Sequence, residues 1–129
     1  MAMLSDKLAV SAFSLVVGVF MFAFWVMLVA SNQILPEQIP YAISFHLAGE
    51  FGTAAMLIIS GVGLLKGKGW AKILSPLALG MLLYTVVVSP GYYAQLGETP
   101  MVVMFLVLIA LTLAAIAGVF RICKAYNSN

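Results

Sequence analysis

The sequence predicts an all-α integral membrane protein, a bundle of four transmembrane helices, and three observations predict it. The chain is 64% hydrophobic and 8% charged, whereas about a quarter of the residues of an ordinary soluble domain carry charge. Four apolar runs of about 20 residues, each long enough to cross a hydrocarbon core of about 30 Å, take up nearly all of the 129 residues. Residues 1–129 therefore read as a single transmembrane four-helix domain, with helices at about 8–30, 41–65, 73–89 and 101–120. All six basic residues, Lys7, Lys66, Lys68, Lys72, Arg121 and Lys124, fall on the side shared by the N-terminus, the second connection and the C-terminus. Positive charge gathers on the cytoplasmic side of membrane proteins, so both termini are expected there, N-in and C-in.

The net charge of +2 does not mark a nucleic-acid partner, because the basic residues come in short groups beside apolar runs and read as topology signals. The partner that the composition names is the lipid bilayer. Residues 1–30 superficially resemble a signal peptide, but Asp6 stands beside Lys7 and the apolar run that follows is longer than the usual 7–15-residue core of such peptides. They read as a retained first helix. The single cysteine, Cys123, lies past the last apolar run between Arg121 and Lys124. It excludes an internal disulfide and a Cys-rich metal motif, and it reads as an ordinary interfacial thiol.

The first helix carries Ser11, Ser14 and Gly18 at spacings of three and four. This narrow stripe lets a second helix approach closely. Phe20, Phe22, Phe24 and Trp25 crowd its second half. Trp25 is placed either as an interfacial anchor, the reading its position favours, or as the wall of a cavity. The first connection, 31–40, is polar and carries Glu37 without a basic residue. Pro40 then suits the first turn of a second helix, where its missing N–H is harmless.

The second helix holds the chain's one histidine, His46, and its one carboxylate within an apolar run, Glu50. A spacing of four puts both on one face, about 6 Å apart along the axis. Gly49, Gly52 and Thr53 surround Glu50, so this level is expected to be the most closely packed surface in the chain. The basic turn KGKGWAK leads to a third helix with Pro76 near its start and Ala78, Gly80 and Tyr84 in its midsection, ending at Ser89-Pro90-Gly91. Thr99-Pro100 reads as an N-cap followed by a first-turn proline. The fourth helix is aliphatic apart from Thr112 and is expected to be the most lipid-exposed.

An ionisable group in hydrocarbon costs about 2.5–3.5 kcal/mol even on lenient scales, so it turns inward and finds a partner. By the helical rise, His46 lies about 7–8 Å and Glu50 about 13–14 Å below the outer boundary, with Tyr84 about 7–8 Å below the same boundary. His46, Glu50, Tyr84, Trp25 and Thr53 are therefore the candidate ligand-binding or proton-coupling residues. The alternative is a hydrogen-bonded tie that merely fixes helix packing. No catalytic residue, metal site or cofactor is assigned. One histidine, no Asp in the apolar runs and Cys123 at the far end from His46 give nucleophilic catalysis little support, while proton transfer by the His46–Glu50 pair stays open. His46 with Met27, Met101 and Met104 would suit Cu(I), but methionines in so apolar a chain serve mainly as packing.

The Gly49-Glu50 pair, the KGKGWAK turn and the small-residue third helix together resemble the DoxX-like group of small four-helix membrane proteins, over roughly residues 41–95. That group is similar in architecture to the emopamil-binding, sterol-related bundles. The resemblance implies a helical bundle enclosing a pocket for a lipophilic molecule, with Glu50 at the matching acidic position. LALGMLLYTVVVSPGYYAQ is also similar to segments of bacterial and archaeal four-helix proteins, which implies a prokaryotic cell membrane. Three functions are expected from different classes. The first is binding of a lipophilic or quinone-like small molecule. The second is proton- or cation-coupled transport through Glu50. The third is service as an accessory subunit. The six-to-none charge bias opposes a dual-topology antiparallel dimer, while a parallel homo-oligomer remains compatible.

Overall fold

Runs this apolar form helices because each backbone N–H and C=O must be satisfied within the segment once water is excluded. The computed structural model describes residues 2–31 and 40–127. Among them the chain forms α1 (Ala2–Ala30), α2 (Pro40–Leu65), α3 (Ala71–Gln95) and α4 (Thr99–Asn127). Each is long and apolar enough to cross a membrane. The first connection, with Glu37, lies outside the described residues. The helices contact one another in a ring, with α1 on α2, α2 on α3, α3 on α4 and α4 on α1.

The ends of α2 and α3 share one device. Gly67 has φ +68° and Gly97 φ +72°, a left-handed conformation that only glycine enters without a steric penalty. After α2, Gly67 N–H donates to Leu64 O at 3.1 Å and Lys68 N–H to Gly63 O at 2.9 Å. After α3, Gly97 N–H donates to Ala94 O at 3.1 Å and Glu98 N–H to Tyr93 O at 3.0 Å. Both are Schellman closures, which satisfy the last carbonyls of a helix.

This corrects the expected end of the third helix. α3 does not stop at Ser89-Pro90-Gly91 but runs on through Pro90 to Gln95. A proline removes a single i→i−4 bond, and neighbouring elements in an apolar bundle make that loss tolerable. The stop is the left-handed Gly97. The helix also begins two residues earlier than expected, so Pro76 is interior. Its missing N–H frees the Lys72 carbonyl, which instead accepts from the Cys123 thiol at 3.7 Å. The cysteine that read as an ordinary interfacial thiol therefore ties α4 to α3.

The outer helices are also longer than expected. α1 takes in Asp6, and α4 takes in Arg121. Arg121 Nε and Nη2 donate to the two Asp6 carboxylate oxygens at 3.0 Å each, so a forked pair joins the first helix to the last. α4 starts with Glu98 O accepting from Met101 and Val102 N–H at 3.1 and 3.2 Å. Thr99 is thus the first helical residue rather than the cap.

The small-residue stripe of α1 packs as expected. Ser11 and Ser14 are fully buried, and a Cβ built at Gly18 would lie 2.8 Å from Ile58 Cγ1 and 3.0 Å from Ala54 O. Gly61 of α2 answers it, with Leu15 Cγ at 2.9 Å and Ser11 O at 3.2 Å. The expectation for Gly49 and Gly52 is overturned, since neither has any neighbour within 4 Å of a built Cβ. The close α1–α2 approach lies deeper, at the level of Ala54 to Gly61. α2 is nevertheless the most buried helix, with 44% of its most apolar stretch enclosed against 33% for α3 and 22% for α1 and α4. α4 therefore shares the role of most exposed helix with α1. Its interior polar group, Thr112, is buried and donates to Leu108 O at 2.6 Å.

Candidate functional site

Glu50 sits on the inward face of α2 with its side chain 6% exposed. Burial of a carboxyl demands a donor, and α1 supplies it, with Trp25 Nε1 donating to Glu50 Oε2 at 3.0 Å. Trp25 thereby holds the carboxyl from the α1 side. Two further contacts hold the indole. Its ring meets His46 edge-on at 5.3 Å between centroids, and Phe24 at 5.9 Å.

His46 lies one turn before Glu50, as the spacing predicts, but Nε2 stands 3.8 Å from Glu50 Oε1. That is beyond hydrogen-bond reach. The two carboxyl oxygens therefore have different surroundings. Indole N–H is a donor only, so Oε2 must act as acceptor. Oε1 is the oxygen left to carry a proton, or to accept one from a ligand or from His46. Thr53, one turn on from Gly49, is buried and spends its hydroxyl proton on Gly49 O at 2.7 Å.

Glu50 also faces a groove of about 550 Å³ between α2 and α3. His46, Gly49, Glu50 and Thr53 line it from α2, and Pro76, Gly80, Met81 and Tyr84 are among its residues on α3. A Cβ built at Gly49 or Gly80 meets nothing within 4 Å, so these glycines leave space instead of packing. The groove opens outward past Phe45 and Tyr84, which are 79% and 71% exposed. It is an open cleft on the bundle's flank, where an enclosed pocket was expected.

Tyr84 shares the groove with Glu50 without hydrogen-bonding to it. Because α3 continues to Gln95, Tyr84 lies about 16–17 Å from the helix end instead of 7–8 Å, level with Glu50 at about 15 Å from the start of α2. Its phenol faces outward at the mouth. The sequence reading missed Phe45, Pro76, Leu77, Met81 and Thr85, which also line the groove. The signal was available on α3, where 77, 80, 81, 84 and 85 repeat at helical spacing and Gly80 interrupts them with a gap. Ala78, grouped earlier with Gly80 and Tyr84, is fully buried on another face. Among the described residues, no three His, Cys, Asp or Glu side chains converge as metal ligands would.

Fold and site together define a small four-helix bundle with four membrane-length helices and a buried carboxyl, held by an indole, beside an open apolar groove. The chain belongs to the family described as Domain of unknown function (DUF8058), whose model matches residues 3–129. No curated protein and no solved structure matches it.

Proposed function

We propose that this chain is an integral protein of a prokaryotic cell membrane, with both termini cytoplasmic, that binds a lipophilic, quinone-like small molecule in the groove between α2 and α3. Insertion is supported by the four apolar spans, and orientation by six basic residues gathered at one end and none at the other. One observation carries the binding reading. The groove is apolar, opens on the flank where lipid would lie, and places at its wall a single carboxyl whose Oε2 is already satisfied by Trp25. A ligand carbonyl or hydroxyl entering sideways meets Oε1, the His46 imidazole and the Tyr84 phenol.

Quinone binding next to Trp25 quenches indole fluorescence. Titration of the purified Trp70→Phe protein with a short-chain quinone should therefore give saturable quenching, lost when Gly80→Leu fills the groove. Native mass spectrometry of the wild type should show a co-purifying small molecule that the filled variant lacks. Equal quenching in both proteins would overturn the reading.

Coupled transport is the second reading, favoured by the titratable imidazole 3.8 Å from the carboxyl. Glu50→Gln separates the two. It abolishes proton-coupled flux in proteoliposomes if the group exchanges protons, and leaves binding within about 1–2 kcal/mol if it serves as a neutral hydrogen-bonding partner.

A further inference from the structure

A second cavity lies at the end of the bundle where the chain gathers its positive charge. It has a volume of about 150 Å³, and Lys7 of α1, Lys68 of the α2–α3 turn, and Lys72 of α3 all line it. Leu64, Ile122 and Tyr126 close its apolar side. Three lysines from three elements thus line one small space, although like charges repel.

The acid of α1 at this end does not relieve them. Asp6 is held by two hydrogen bonds from Arg121 and does not line the cavity. The lysines are also positioned. Lys72 Nζ stands over the Tyr126 ring, 2.9 Å from its centroid, and Lys7 Nζ lies 3.9 Å from the Cβ position of Gly67. The left-handed Gly67 brings the turn back over the end of α2, so that Lys68 joins Lys7 and Lys72 at one wall.

We propose that this cavity is a binding site for a phosphate monoester, and that the occupant is the headgroup of an anionic lipid. A phosphate dianion balances the charge of the lysines, and its oxygens accept from ammonium groups. The apolar wall favours an amphiphile over a free anion, because Leu64, Ile122 and the Tyr126 ring would meet the first atoms beyond the phosphate. Basic pockets at the cytoplasmic ends of membrane helices are used in this way. The proposal concerns a separate cavity and stands whether or not the groove binds a quinone.

Native mass spectrometry and thermal melting of the detergent-solubilised full chain test it, with phosphatidic acid, phosphatidylcholine and inorganic phosphate as probes. Phosphatidic acid should bind and raise the melting temperature, and phosphatidylcholine at the same concentration should do neither. Lys7→Gln/Lys68→Gln/Lys72→Gln should weaken phosphatidic acid binding at least tenfold, and the exposed Lys68→Gln alone should weaken it measurably should the triple variant fail to fold. Lys66→Gln/Lys124→Gln, which removes the same kind of charge outside the cavity, should bind within twofold of wild type. Saturable stabilisation by inorganic phosphate, lost in the triple variant, would support the phosphate chemistry and assign a soluble source. Wild-type affinity in both Lys68→Gln and the triple variant, or equal loss in the control, would overturn the site.

Discussion

Trp25 on α1 donates its indole N–H to Glu50 on α2 across 3.0 Å, and this bond joins the two helices. Below it, Gly18 and Gly61 let α1 and α2 pack to contact. Beside it, Gly49 is open. The carboxyl is thus buried against α1 on one side and borders the groove on the other.

Trp25→Phe keeps an aromatic ring, though a smaller one, and deletes the donor. Leaving a buried acceptor unsatisfied costs about 1–3 kcal/mol, so the variant should melt lower in detergent. Glu50→Gln offers an amide whose oxygen still accepts, and its loss should be smaller. Combining Trp25→Phe with Glu50→Leu, which removes the acceptor as well, tests coupling. The double variant should be more stable than the sum of the single losses predicts, by about 0.5 kcal/mol or more. Strict additivity would mean that the bond contributes nothing.

The glycines divide into two groups with opposite expected effects. Gly49→Ala and Gly80→Ala place a methyl in open space on a helix interior, where alanine is favoured over glycine by about 1 kcal/mol, and both should raise the melting temperature. Gly18→Ala drives a methyl against Ala54 O and Ile58, and Gly61→Ala against Leu15 and Ser11 O. Backbone oxygens give little, so these should lose about 1–3 kcal/mol. A uniform response across the four would contradict the packing described.

Orientation is tested in a Cys123→Ser background by accessibility labelling in intact cells. Gln95→Cys, at the end that lacks basic residues, should label without permeabilisation. Lys66→Cys should label only after it. The reverse pattern would place the termini outside and remove the cytoplasmic assignment.

What the sequence determined by itself was the class of fold, because four apolar runs of membrane length and a one-sided charge pattern are linear properties. It also determined the register of His46 and Glu50 and the α1 stripe of Ser11, Ser14 and Gly18, because helical periodicity turns spacing into a shared face. Tertiary structure decided everything that depends on which faces meet. Pro90 and Gly91 read as a stop, yet helix ends are set by which glycine turns left-handed, and that was Gly97. Nothing in α1 reveals that the Trp25 indole meets a carboxyl 25 residues away. Gly49 read as a packing residue. A missing side chain permits either close approach or empty space, and only the separation of α2 from α3 made it space.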